Sequence, residues 1–321
     1  MAGAMTVCRK ELADHLGSKR YIVLFALILV LSTLSAYQGA EYIKNNPQAG
    51  FIAIFSGAQF GFSFTSLMVF FGPIIGLSLG FDAINKERTS GSLSMLLSQP
   101  IYRDSVINGK FLAGTSALSL LAVTTVGIMC GVAMPILGFG PAVEDVLRIV
   151  LFTLLTILYL AFWLALGLLF SVIAKKTSTS ILMSVATWLF FSLVIAIIAA
   201  LVASVLIPIT IPKEASGGNI GRILRSPEFR ELLQKRFAIQ MSIQRVSPAY
   251  LYNEASSAIL GISRGGLGFI GPGGGKPFRS LELTQGLTAS WPQITAIAAG
   301  LVVCFAVSYM LFLRLEIRPG G

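Results

Sequence analysis

The stretch that decides the fold is IVLFTLLTILYLAFWLALGLLFSVI, Ile149–Ile173, an apolar run without a single charged side chain. A helix needs about 20 such residues to cross the hydrocarbon core of a bilayer. Working outward, five more runs of this kind appear, giving spans at about 21–37, 65–81, 111–136, 149–173, 180–208 and 291–313. None contains Asp, Glu, Lys, Arg or His. A membrane β-barrel would show short alternating segments instead. The whole chain is 55% hydrophobic and 12% charged, where soluble domains carry about 25% charge. The sequence therefore predicts an all-α, polytopic membrane protein with six transmembrane helices. The first span is too long for a signal-peptide core, and Tyr37-Gln38-Gly39 is a poor cleavage site.

Basic residues in short flanks orient such a protein. Arg9, Lys10, Lys19 and Arg20 precede the first span. Lys86, Arg88, Arg103 and Lys110 lie between the second and third, Lys175 and Lys176 between the fourth and fifth, and Arg314 and Arg318 after the sixth. With six spans these four segments share one side, which places both termini in the cytoplasm of a prokaryotic cell membrane. The first two loops on the other side hold Lys44, and Glu144, Asp145 and Arg148. The third, 209–290, is basic but longer than the ~60 residues over which the rule operates. An odd number of spans, with that loop inside, would put the C-terminus outside. The net charge of +10 follows the spans, so it points to the membrane rather than to nucleic acid.

Residues 1–19 are not a span. Met5, Cys8, Leu12 and Leu16 recur at helical spacing with Arg9, Lys10, Asp14 and Lys19 between them, the pattern of an amphipathic interfacial helix. In the extracytoplasmic region 209–290, Ser226-Pro227-Glu228 is a helix start, and the pattern runs to about Gln244. A second helix is expected from Ser247-Pro248 through Ile259. A glycine tract, Gly265–Gly275, follows as loop. The region reads as a small external helical cap and a candidate surface for an extracytoplasmic partner. A tail, 314–321, ends the chain.

Several motifs fail on context. Gly266–Gly271 spells GxGxxG, yet Pro272 and further glycines stand where a helix must begin. Gly275-Lys276 is followed by Pro277 rather than Ser or Thr, so the chain carries no phosphate loop. Cys8, Cys130 and Cys304 are far apart and His15 is the single histidine, which leaves no metal-ligand cluster. Gly76–Gly80 spells GxSxG inside a span with no base at hand. The better reading takes Gly72, Gly76 and Gly80 together, as one face where another helix can approach closely.

Residues 82–104 form the most ordered loop. Asp82 to Arg88 is a charged cluster, Gly91 permits a sharp turn, and Ser90 or Ser92 can cap a short helix. Leu93, Leu96 and Leu97 make an apolar face, Pro100 ends it, and Arg103 and Lys110 anchor the next span. Such a helix either lies on lipid or docks into a partner.

This run resembles the hallmark of type-2 ABC-transporter permeases: an acidic-basic pair, Gly-Thr/Ser-Leu, two leucines, then Pro and Arg. Glu87, Arg88, Gly91, Leu93, Leu96, Leu97, Pro100, Arg103 and Lys110 match it, and Ser92 stands where Thr is usual. Lys10-Glu11-Leu12 and Lys19-Arg20 also resemble the start of that family. The subgroup most similar is the permeases of nitrous-oxide-reductase maturation clusters, with related multidrug and natural-product exporters. The resemblance implies a permease that pairs with a second copy or a related chain and is driven by a separate cytoplasmic ATP-binding-cassette ATPase. ATP and Mg would bind that partner, with no cofactor, metal or catalytic residue on this chain. It further implies a coupling helix around Ser92–Ser98, a hinge at Glu87 and Arg88, and a second cytoplasmic contact at Lys175 and Lys176. Three other classes compete. An ion-coupled secondary transporter usually keeps ionisable residues in its spans; these have none, which argues against proton coupling but not against sodium coupling through backbone carbonyls. A membrane enzyme would need a metal cluster or an assisted nucleophile. A non-transporting scaffold stays compatible with the resemblance.

Overall fold

A computed structural model of the chain describes residues 2–55, 63–91, 102–208, 227–261 and 282–314. The described residues form helices α1 (Ala2–Gly17), α2 (Lys19–Asn45), α3 (Phe64–Gly80), α4 (Asn85–Thr89), α5 (Arg103–Leu137) and α6 (Val143–Ile173). They continue as α7 (Thr177–Leu206, with a π-helical turn at Phe190–Val194), α8 (Pro227–Gln244), α9 (Pro248–Leu260) and α10 (Leu283–Leu313). Among the described residues six helices are long and apolar enough to span a membrane: α2, α3 with its α4 extension, α5, α6, α7 and α10. Several overrun the apolar windows read from sequence, because a helix continues past the hydrocarbon into the interface. The chain divides into two units, 1–186 with 252–321, and 187–251.

In the first unit α6 is the hub, with α3, α5 and α10 packed around it. Of its most apolar stretch 67% is buried, and Phe152, Tyr159 and Trp163 are fully enclosed. Contact with α3 is backbone-close. A Cβ on Gly76 would stand 2.8 Å from the Leu160 carbonyl oxygen, and one on Gly80 2.6 Å from that of Leu164. One on Gly72 would meet the Tyr159 ring at 3.0 Å. The three glycines therefore let α3 lie against α6 at a separation no other residue permits. Helix starts are capped as their sequences allow. The Ser18 and Ser63 hydroxyls accept from the N–H groups of Tyr21 and Ser66 at 3.2 and 2.9 Å, and Asp145 accepts from that of Ala142 at 3.0 Å. Gly138, at φ 75°, closes α5 in the left-handed region.

Helix α1 packs on the start of α5. Its enclosed face is Val7 and Cys8, while Met5 is 63% exposed. Leu12 and Leu16 are half-buried alongside Cys8, so the expected face is kept except at Met5, and Val7 joins it. Gly109 is the reason: its missing side chain leaves room for Val7, whose Cβ lies 2.7 Å from where a Cβ of Gly109 would be.

The helices expected in 209–290 are present, as α8 and α9, but they return to the middle of the spans. In the first unit Tyr252, near the start of α9, stacks on Tyr159 with centroids 4.4 Å apart. Its hydroxyl lies 2.9 Å from that of Thr156. Tyr159 is at the midpoint of α6, a helix of 31 residues, about 46 Å long at ~1.5 Å per residue. By Ile259 the chain has climbed to Arg148, near the start of α6, whose Nη1 donates to the Ile259 carbonyl at 3.0 Å. In the second unit α8 runs antiparallel to the last half of α7. Just beyond it, Ser247 donates to the carbonyl of Phe191 at 2.8 Å, at the midpoint of α7. Within the first unit α9 thus re-enters to the middle of α6, and within the second α8 lies along α7. Sequence reading missed this because each arm is shorter than the ~20 residues of a span.

Candidate coupling junction

At the end of the bundle where α1 lies, a charged knot ties three elements together. Lys110, on the first turns of α5, is only 3% exposed. Its ammonium reaches Glu87 of α4 at 2.8 Å and Glu11 of α1 at 2.9 Å. One cation thus neutralises two carboxylates from segments far apart in sequence. A buried lysine is tolerated only with such partners. Beside it Arg20, at the start of α2, pairs with Asp82 at 2.6 Å and lies over the Phe81 ring at 5.4 Å.

Hydroxyls complete the joint. The backbone N–H groups of Ile84 and Asn85 both donate to Ser171 Oγ of α6, at 2.9 and 3.0 Å. This serves as an N-cap for α4 supplied by another helix, since Ile84 itself has no capping side chain. Ser180 donates to the Phe81 carbonyl at 2.7 Å, tying α7 to the same turn. The Asn85 side-chain amide is fully buried, and among the described residues neither its oxygen nor its nitrogen has a hydrogen-bond partner. Below it Ile84, Val106, Ile107, Leu168, Val172 and Phe312 form an apolar plug.

His15 of α1 sits in the field of the knot. Burial lowers its pKa below the usual histidine value, and Lys110 adds to this, while Glu11, Asp82 and Asp14 oppose it.

Of the residues singled out in the sequence, Glu87 is in the knot and Arg88 is half-buried on the same short helix. Gly91 adopts φ 74°, a turn that favours glycine. Arg103 is exposed, with Nη1 3.5 Å from the Leu313 carbonyl, a long contact. Lys175 and Lys176 are exposed in the turn between α6 and α7. Ser92, Leu93, Leu96, Leu97 and Pro100 lie outside the described residues, which stop at Gly91 and resume at Tyr102. The sequence reading missed Glu11, Asp82 and Ser171 as members of this site, and took Lys110 for an anchor. The available signal was the mixture of signs: acids stand among the basic residues that flank these spans.

The chain matches the ABC-2 family transporter protein family over residues 5–317. It is 32% identical over 191 residues to the probable ABC transporter permease protein NosY of Pseudomonas aeruginosa, a match covering 59% of this chain and 66% of that protein. It is 34% identical over 114 residues to the probable ABC transporter permease protein NosY of Stutzerimonas stutzeri, covering 36% of this chain and 39% of that one. Less than two thirds of each relative's length is therefore spanned. With the match running over nearly the whole chain, and with its six spanning helices, this polytopic membrane protein belongs to the ABC-2 transporter family.

Proposed function

We propose that the chain is the permease subunit of an ABC exporter, powered by a separate cytoplasmic ATPase that binds ATP and Mg. Two copies, or this chain and a related one, would form the membrane half. The α1 end faces the cytoplasm, on the basic-residue count of its flanks. There Ser92–Ser98 would be the coupling helix seated in the ATPase, with Lys175 and Lys176 as a second contact.

The Lys110 knot carries this reading. A push delivered through 92–101 enters α4 on one side and α5 on the other. Lys110 and Glu87 join those two sides directly, and Glu11 adds α1. Ser171 links α4 to the hub α6, which is packed backbone-close against α3. A displacement at the loop is thereby shared by four helices rather than absorbed by one.

The test is a pull-down of the full chain from its native membrane. The expected result is recovery of an ATP-binding-cassette ATPase with the wild type. Leu96→Asp, with the spans still inserted, should lose it. A wild-type chain that brings down no such ATPase would refute the proposal.

A further inference from the structure

The outer side of α2 sets the membrane level at the α1 end of the first unit. Lys19 and Arg20 open that helix, and the residues exposed beyond them, up to Tyr37, are Ile22, Val23, Ala26, Leu27, Val30 and Leu34. All six are apolar and recur at helical spacing, so they form one stripe facing acyl chains. Lys19 and Tyr37 stand at its two ends, about 27 Å apart at ~1.5 Å per residue, against ~30 Å for the hydrocarbon core. A lysine snorkelling to the headgroups and an interfacial tyrosine belong at those two levels. Helix α5 marks the same boundary. Its first exposed apolar residue is Leu112, three residues past the Gly109 on which Val7 of α1 sits. Helix α1 therefore lies at headgroup depth.

At that depth α1 has a protein side and an open side. Val7 and Cys8 are buried against α5, and Glu11 reaches Lys110 at 2.9 Å. On the open side Met5 is exposed, Arg9 is exposed one turn further on, and Lys10 is exposed beside it. Arg9 and Lys19 have no ion-pair partner among the described residues. Lys10 has only a 3.9 Å contact with the Glu11 that Lys110 already holds. Asp14 is the one exposed acid on this helix. Three cations thus face outward against one carboxylate, on the border of an apolar stripe. A soluble protein partner would match the charges but not the exposed Met5, Ile22 and Val23 next to them. An amphiphile with a negative head matches both. We propose that Arg9, Lys10 and Lys19 hold the head of an anionic phospholipid whose acyl chains lie along the α2 stripe. The site does not depend on the transporter reading above.

A fluorophore on Met5→Cys reports on this site, in the full chain with Cys8, Cys130 and Cys304 changed to Ser and reconstituted in phosphatidylcholine vesicles. Quenching is measured with phosphatidylglycerol or phosphatidylcholine carrying the same nitroxide near the glycerol end of one acyl chain. Both should quench, and phosphatidylglycerol should be preferred by at least about fivefold, the scale of one basic residue near a membrane surface. Arg9→Gln, Lys10→Gln and Lys19→Gln together should erase that preference and leave quenching by phosphatidylcholine intact, whereas Arg9→Lys alone should keep it. Lys86→Gln with Arg314→Gln removes two exposed cations of the same end from other elements, and the preference should survive. Equal quenching by the two lipids in the parent chain would overturn the proposal. So would a preference lost as fully in the Lys86 and Arg314 variant as in the triple variant. Quenching by neither lipid would also overturn it, placing this face in water and leaving it to a protein partner. No ATPase takes part, so a pull-down that recovers none would break the transporter reading without touching these results.

Discussion

Two buried polar joints hold this membrane protein together, and they use opposite chemistry. At the α1 end, Lys110, Glu11 and Glu87 form a knot of full charges, with Arg20 and Asp82 beside it. At the middle of the first unit, Tyr252 is seated on α6 by ring stacking and hydroxyls alone. Thr156 gives its proton to the Phe152 carbonyl at 2.8 Å, which leaves its oxygen to accept from the Tyr252 hydroxyl. The Tyr159 hydroxyl donates to Val69 at 3.2 Å. Depth explains the difference. Near the interface a carboxylate can be kept ionised by one well-placed ammonium and residual water. At the middle of the span a charge is costly, and neutral groups that satisfy each other are the economical solution. The ionic joint is also the one that can change partners, which suits a transmission element. The aromatic joint suits a fixed seat.

Substitutions that remove one side of each joint separate these roles. Lys110→Met should have the largest effect. It leaves two carboxylates facing each other without their cation, a loss of about 3–5 kcal/mol, read as a lower unfolding temperature in detergent. Neutralising all three, with Glu11→Gln and Glu87→Gln added, should recover most of that stability. Tyr252→Ala should cost about 3 kcal/mol through the lost ring, whereas Tyr252→Phe, which removes one hydroxyl bond within the membrane, should cost only about 0.6 kcal/mol. A large Tyr252→Phe effect would show that the seat is held by its hydrogen bond and not by its rings. Asn85→Leu should raise stability by about 1 kcal/mol, because a buried amide without partners is replaced by an apolar group of similar size.

The smallest effect concerns pH. The His15 pKa is lowered in the folded protein, so the unfolded chain binds more protons as the medium acidifies. Stability is then fully present above the ordinary histidine pKa of about 6.5 and falls as pH drops below it. His15→Gln should flatten the unfolding temperature between about pH 7 and pH 5. An unchanged slope would assign the pH response to other groups.

Local signals were legible in the sequence. The spans follow from length and apolarity, and helices α8 and α9 from Ser226-Pro227 and Ser247-Pro248. What the sequence could not rank was burial. The window of α6 is 67% buried and that of α7 only 17%, though both are strongly apolar. In lipid an apolar face means either a neighbour or an acyl chain, so the helical pattern loses its meaning as a guide to the core. Long-range pairing was equally hidden: nothing local to Glu11 or Ser171 announces Lys110 or Ile84. Charge-free spans argued against proton coupling. That argument covers the spans alone, because α9, two residues past the stacked Tyr252, brings the buried Glu254 toward the middle of α6.

The central claim is that the charged knot transmits the ATPase stroke to the spans, and ATP-dependent movement tests it most directly. In the complex recovered by pull-down, with Cys8, Cys130 and Cys304 changed to Ser, the rate at which a water-soluble methanethiosulfonate modifies Val246→Cys, an exposed position between α8 and α9, is compared with and without ATP and vanadate. The account predicts that the rate changes in the otherwise wild-type chain. In the neutral variant carrying Lys110→Met, Glu11→Gln and Glu87→Gln, the ATPase should remain bound but the rate should stay constant. A neutral variant that responds to ATP as fully as the wild type would contradict it.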